Sequence, residues 1–413
     1  MMKKIAYLTV KTPLGAHEAF ILTEMLALKK SGASLLIIPR GISTGVFHEK
    51  AKELLDDTLI LPYINFKIIK ELFSYIALRP LFTSKILFNT VFKARNVKIA
   101  VKNLCIIPKA LYLSKILRQH NISNIHAHWA STTSTIAYII SKVTGIPWSF
   151  TAHRWDILEN NILREKTKSA SFVRAINENG RQEICEIIND DNLKKKISVI
   201  HMGVVLPELK STPFNKPDIF KFLCPANLLI VKGHRYLFEA CRILSDRGLQ
   251  CKCLIAGDGP LEHELRRMAA NLELDDCIEF LGRLPHERLF ELYARREIHA
   301  VVLPSITTGD AEKEGIPVAL MEAMSYGIPV ISTNTGGIPE LISDGSGIMV
   351  EEKNPAVIAG ALEKLVKDQI YYNLLSEKGQ EKIDCDFNVD KISTKLLALF
   401  SGEPQCSLPE NSL

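Results

Sequence analysis

Glu314 and Glu322 are the residues whose type and spacing first suggest chemistry. They lie in the stretch EGIPVALMEAMSYGIPVISTNTGGIPE, residues 314–340. Pro317 suits the first position of a helix, where its missing N–H costs nothing. Glu314 then sits in the loop before that helix, with Glu322 roughly 7.5 Å further along at 1.5 Å per residue. Carboxylates accept directional hydrogen bonds from vicinal hydroxyls, so this pair can reach two polyhydroxyl groups of one ligand. Spacing alone equally allows a first-turn dipole partner and a solvated helix residue. Lys232-Gly233-His234 follows the run FKFLCPA and opens another helix. An ammonium beside the N–H groups of a helix start favours a phosphate.

Other positions are weaker by themselves. Gly257-Asp258-Gly259-Pro260 reads as a turn between a strand and a helix. Ser305 ends a strand and can meet a phosphate or cap a turn. Gly336-Gly337 follows PVIST and lets backbone approach a ligand closely, or only turns the chain. His153, in T-A-H-R-W-D, ends the strand WSFTA. Asp156, three residues on, can hold its other ring nitrogen or touch an acceptor. His126 and His128 alternate on a strand end without an evident third metal ligand, which favours packing and hydrogen bonding.

These residues need elements that position them. Ile5–Val10, Leu35–Pro39, Asn124–His128 and Trp148–Thr151 read as strands, with helical patterns over Glu18–Lys30 and Thr135–Val143. The second half repeats the scheme. Strands at Phe220–Pro225, Cys253–Ala256, Ile298–Leu303 and Val330–Thr333 alternate with helices at His234–Leu244, Leu261–Ala270, Pro285–Tyr293 and Pro317–Ser325. Such alternation predicts an α/β chain with two doubly wound parallel sheets, facing each other across a cleft. The expected domains are 1–205 and 219–385. A Pro-rich polar linker spans 206–218, a terminal helix at 386–400 packs back on the first domain, and 401–413 is a disordered tail.

The chain has 413 residues, 47% of them apolar and 23% charged. That excludes a disordered chain, a collagen and a coiled coil. No run of 18 apolar residues suggests a spanning helix, and MMKKIAYLTV reads as a first strand, without the length or cleavage site of a signal peptide. The nine cysteines show no C-x-x-C spacing. Cys251 and Cys253 share one strand face, as core residues do, and reduced thiols in a cytoplasmic protein are expected. The net charge of +5 hides an asymmetry. Residues 1–205 carry 29 Lys/Arg and 15 Asp/Glu, and the remainder 22 and 31, so the halves are +14 and −9. Glu71 is the one acidic residue in 59–154, and 11 Lys/Arg between Lys67 and Arg118 interleave with aromatic and aliphatic residues. This basic amphipathic segment, about 62–118, reads as a contact for an anionic membrane surface. No recognition motif accompanies the charge, so nucleic acid is not expected.

E-x7-E followed by G-x-P-V, with G-G-I-P-E downstream, resembles the retaining glycosyltransferases of family 4, which have the GT-B architecture of two Rossmann-like domains. The likeness extends over nearly the whole chain and is best over about 219–350. It is similar in particular to exopolysaccharide transferases of the colanic acid type. The resemblance implies that Glu314 touches the donor sugar, with Gly315 and Ile316 beside it, and that Glu322 holds the ribose. Lys232 faces the leaving diphosphate. Gly257, Gly259, Leu281, Ser305 and Gly337 border the nucleotide. In Thr12-Pro13-Leu14-Gly15-Ala16-His17-Glu18 the family loop faces diphosphate and sugar, through Gly15 and Glu18; H-E-A-F stands where exopolysaccharide members have S-E-T-F. His153 lies near the reacting sugar, and Asp156 and His128 are assigned to the acceptor. Asn227 occupies the position of a family arginine that helps neutralise the diphosphate.

The function implied is retaining transfer from a UDP- or GDP-linked sugar to a lipid-linked or polysaccharide acceptor in exopolysaccharide, capsule or lipopolysaccharide synthesis. The leaving phosphate takes the acceptor proton, so no protein nucleophile, metal or cofactor is called for. The expected location is cytoplasmic, peripheral on the inner face of the plasma membrane. An epimerase or hydrolase of the same fold is the alternative, or a non-catalytic sugar-nucleotide-binding partner subunit, which Asn227 favours.

Overall fold

The computed structural model describes residues 4–15, 18–41, 49–207, 217–309 and 313–402. The chain divides into two compact units. One comprises the residues up to Gly203 together with those from Val389; the other is Val204–Asn388.

The first domain is built on six parallel strands: β1 Lys4–Thr9, β2 Ser34–Pro39, β3 Ile122–His128, β4 Trp148–Ala152, β5 Val173–Ala175 and β6 Ile197–Val199. Their order is β2-β1-β3-β4-β5-β6. Successive side chains point to opposite faces, and both faces are buried. On β1, Ile5 and Tyr7 join one core cluster while Ala6 and Leu8 join another. Helices Val97–Gln119 and Thr132–Thr144 cover the Ala6 face. Helix Ala19–Lys30 covers the Tyr7 face, together with the terminal helix Val389–Ser401, which contributes Ile392, Leu396 and Phe400.

The second domain has strands β7 Phe220–Pro225, β8 Cys251–Ala256, β9 Ile278–Gly282, β10 Ala300–Leu303, β11 Val330–Thr333 and β12 Ile348–Val350. They are ordered β12-β11-β10-β7-β8-β9. Each sheet therefore has one place where the order reverses, between β1 and β3 and between β7 and β10. The crevice beyond the strands' carboxyl ends at such a point is where doubly wound sheets bind ligands. Cys251 and Cys253 face the core of this domain, and the eight cysteines among the described residues are free thiols.

Two expectations differ in detail. The second domain begins at Val204 and ends at Asn388, earlier and later than 219–385, because Val204 forms a parallel bridge with Asn388 and donates its N–H to the Phe387 carbonyl. Most of the expected linker, at 208–216, and the tail from 403 lie outside the described residues. The basic segment is not one amphipathic surface but helices Phe66–Leu78, Pro80–Leu87 and Val97–Gln119, with a wide turn at Phe88–Phe92. Lys109, one of its cations, is buried and donates to the Arg40 and Leu61 carbonyls at 2.8 and 2.9 Å. Burial pulls its ammonium down to about 8.

The terminal helix completes one face of the first sheet, so trimming it should open a cavity there. Leu396→Ala is expected to destabilise the first domain by about 2–5 kcal/mol. Urea unfolding followed by fluorescence of Trp148, buried in that domain, measures it.

Candidate active site

In the second domain, four loops converge beyond the carboxyl ends of the strands. After β7 comes exposed Asn227, then a 3-10 turn, Ile230–Lys232, and Gly233. Gly233 has φ +67°, and a Cβ there would lie 2.0 Å from the Pro304 carbonyl oxygen. Only glycine permits that approach, and it holds the β7 and β10 loops together. The Lys232 ammonium meets Glu314 Oε2 at 2.5 Å, and Ser305 Oγ donates to the same oxygen at 3.4 Å. Gly336, at φ +57°, would place a Cβ 1.7 Å from the Glu314 carbonyl oxygen, to which Gly337 donates its N–H. Lys232, Ser305, Glu314 and Gly337 are thus assembled around one charge pair. The other predicted contacts line up beside it. Leu228 donates to the Asp258 carbonyl, which sets the Gly257–Gly259 turn against Asn227, and Gly257 donates to Gly282, next to Leu281. Gly315 has open space around its Cα; Ile316 is half-buried.

Glu322 lies in helix Val318–Ser325, for which Pro317 is the capping residue and not the first helical one. It is 9% exposed, which excludes the solvated-helix reading. Burial pushes its carboxyl up to about 8. His286 Nδ1 stands 3.5 Å from Glu322 Oε1, a neighbour that no sequence pattern announces. Thr307 and Glu352 were also unforeseen: Glu352 accepts from the Thr307 N–H at 2.6 Å and hydroxyl at 2.9 Å, and pins the β10 loop.

In the first domain, the loop after β1 is tied down by Glu18. One carboxylate oxygen accepts from Lys11 N, Thr12 N and Thr12 Oγ1 at 2.8–2.9 Å, and the other from Trp129 Nε1 at 2.7 Å. Both oxygens accept hydrogen bonds from the protein, so Glu18 shapes the loop that carries Gly15. Ala16 and His17 lie outside the described residues.

The acceptor assignment of His128 is corrected. It is fully buried and both ring nitrogens are partnered, Nδ1 with Tyr7 Oη at 2.9 Å and Nε2 with His153 Nε2 at 2.8 Å. Tyr7 gives its proton to Glu24 Oε1 at 2.5 Å, and Arg174 holds Glu24 Oε2 at 2.5 Å. The proton order follows from these bonds. The tyrosine oxygen accepts from His128 Nδ1–H, which leaves His128 Nε2 to accept from His153 Nε2–H. Burial, with the Arg174 guanidinium nearby, holds His128 well below its usual range and His153 near 3, so both rings are neutral. Asp156 does not hold the His153 ring. Its carboxylate accepts the backbone N–H of His153 at 2.6 Å and that of Ala130, and so starts helix Arg154–Glu159. Burial raises Asp156 to about 7. His126 bonds Ser149 and Thr151 and is structural. Tyr7, Glu24 and Arg174 carry no motif; Glu24 reads in sequence as one more position of an amphipathic helix.

The two sheets and their loops define an α/β two-domain fold of the GT-B class. The structure of Anabaena HepE in complex with UDP superposes with a TM-score of 0.70 at 16% identity, covering 97% of this chain and 100% of that one. Residues 208–382, most of the second domain, match the model of glycosyl transferases group 1. The chain is 35% identical over 214 residues to WcaL of Escherichia coli (strain K12), named for colanic acid biosynthesis, covering 51% and 52% of the two chains. It is 34% identical over 197 residues to the amylovoran biosynthesis glycosyltransferase AmsK of Erwinia amylovora, covering 47% and 48%. The chain spans about half the length of these curated relatives. The resemblance to exopolysaccharide-type glycosyltransferases is borne out at this level.

A carboxyl raised by burial keeps its proton in the native state between about 4.5 and 8, while the unfolded chain has already lost it. Such a group costs stability as pH rises through that window. Glu322→Gln removes the cost, so its melting temperature relative to the parent should climb from pH 5 to pH 8. A constant difference in thermal melts would contradict an elevated Glu322.

Proposed function

We propose that the chain is a retaining glycosyltransferase of family 4 that moves a sugar from a nucleotide diphosphate sugar to a lipid-linked or polysaccharide acceptor of exopolysaccharide, capsule or lipopolysaccharide synthesis. The observation that carries this reading is the Lys232–Glu314 pair, at the strand ends where the second sheet reverses its order. A cation and a hydroxyl-binding carboxylate 2.5 Å apart match a diphosphate joined to a sugar. An arriving donor exchanges the internal pair for two ligand contacts, with phosphate oxygens on Lys232 and sugar hydroxyls on Glu314. As the anomeric C–O bond breaks, charge develops on the leaving phosphate, and Lys232 with the loop N–H groups stabilises it. The acceptor oxygen bonds the anomeric carbon on the same face, and its proton passes to the departing phosphate oxygen. Glu322 holds the ribose. HepE, a fold neighbour, has been crystallised with UDP and with UDP-glucose, which supports a nucleotide-sugar donor.

The acceptor reading draws on the first domain. Phe66, Leu78, Leu81 and Phe92 are between 77% and 88% exposed, and Lys67, Lys70, Arg79 and Lys85 lie among them in sequence. A soluble surface seldom spends so many large apolar side chains on water in one region. An anionic bilayer satisfies both the apolar and the basic character. Among the described residues no helix is long and apolar enough to cross a membrane, and the attachment proposed is peripheral, at the cytoplasmic face.

The test is nucleotide diphosphate release from a panel of UDP-, GDP- and ADP-sugars, with and without membrane lipid extract. Release that requires one donor and the lipid is expected. Lys232→Ala should lower it by about 10²–10³-fold, and Asn227→Arg should raise it by restoring a second cation. Release without lipid would favour the hydrolase or epimerase; nucleotide binding with no release would favour the non-catalytic partner that Asn227 suggests.

A further inference from the structure

A cavity of about 360 Å³ opens in the first domain between the turn after Phe92 and the segment that follows helix Arg154–Glu159. Lys93, Arg95, Asn160, Ile162, Arg164 and Glu165 are among its lining residues. Three cations face one acid there, a net of +2. Their internal commitments are light. Lys93 pairs with Glu165 at 2.6 Å, Arg164 reaches Asp190 only at 3.5 Å, and Arg95 donates one guanidinium N–H to the Leu158 carbonyl at 3.0 Å. Guanidinium groups carry five donors in a planar fork that suits phosphate. The wall is held in an uncommon backbone: Asn160 and Ile162 both have φ +48°. That is costly for a β-branched residue. The rim is apolar. The Lys93 ammonium stands 5.8 Å from the Phe88 ring, Phe88 stacks with Phe92 at 6.3 Å, and all of Phe88, Phe92 and Leu158 are exposed.

We propose that this cavity is a subsite for the phosphate of a lipid head group, with the acyl chains running over Phe88, Phe92 and Leu158. The proposal rests on the bilayer reading of the exposed face and adds a built site to it. The occupant is an anionic phospholipid of the membrane, chosen by the charge of the lining and the apolar rim together. A cationic cavity with a polar rim would suit a free anion, and an apolar face without the cavity would suit any bilayer.

The experiment measures vesicle binding by sedimentation at low and physiological salt. Phosphatidylcholine vesicles are compared with vesicles that also contain phosphatidylglycerol. The parent protein is expected to prefer the phosphatidylglycerol vesicles. Arg95→Ala with Arg164→Ala should cut that preference about tenfold or more, because both groups are exposed and their loss leaves the fold alone. Phe66→Ser with Leu81→Ser, distant in sequence from the cavity lining, should weaken binding to both vesicles and keep their ratio. An unchanged ratio in the double arginine variant would overturn the subsite. Inorganic phosphate at matched ionic strength is expected to compete weakly, and full displacement by it would overturn the lipid assignment. A soluble dihexanoyl phosphatidic acid separates this proposal from the bilayer reading. Binding to the parent and not to the double arginine variant supports the subsite even if vesicles do not bind. Binding to neither sinks it.

Discussion

A parallel sheet sends every strand's carboxyl end the same way, and its neighbours then leave in opposite directions at one place only. That constraint governs both halves of this molecule. Between β1 and β3, and again between β7 and β10, adjacent loops diverge and leave backbone groups that no strand can satisfy. Each domain fills that place with charge. In the second it is the Lys232–Glu314 pair, framed by Gly233 and Gly336, where no side chain would fit. In the first it is the Glu18 carboxylate, which takes four donors from the loop after β1 and from Trp129 at the end of β3.

The two charge clusters differ in what surrounds them. Lys232 and Glu314 keep some contact with solvent, with side chains 19% and 16% exposed. An ion pair of that kind can exchange partners with a ligand at modest desolvation cost. Glu24 and Arg174 are sealed in the first core. Removing one partner of such a pair leaves an uncompensated buried charge, a loss of about 3–5 kcal/mol. Its use is therefore orientation. The fixed carboxylate sets the proton on Tyr7, which sets His128, which sets His153. The ring at the end of β4 is a single neutral tautomer because of a carboxylate three groups away.

The charge asymmetry of the chain is resolved in a similar way. Part of the basic surplus of the first half is internal: Lys109 and Lys166 are buried and spend their donors on main-chain carbonyls, and buried Arg174 divides its donors between the Ile200 and His201 carbonyls and the Glu24 carboxylate. What remains outside is concentrated on Phe66–Lys102, beside large exposed apolar side chains. The same segment thus contributes both core and surface, which is why its composition alone reads as uniformly amphipathic.

The alternation of apolar runs with helical patterns determined the two doubly wound domains, because strand and helix periodicities are local properties of the chain. Motif spacing picked out Lys232, Glu314, Glu322 and Gly337, since a ligand loop at a strand end is a contiguous piece of sequence. The sequence also pointed to His153 and Asp156 as neighbours. It could not say that His128 and Glu18 are hydrogen-bonded within the protein itself, or that Glu24 is buried. Those outcomes are decided by contacts between residues 17, 111, 121 and 150 positions apart. Long-range hydrogen bonds, and the desolvation that comes with them, exist only once the sheet has brought β1, β3, β4 and β5 side by side. The Lys93–Arg95 cavity has the same origin, because its walls are more than 60 residues apart and meet only through packing.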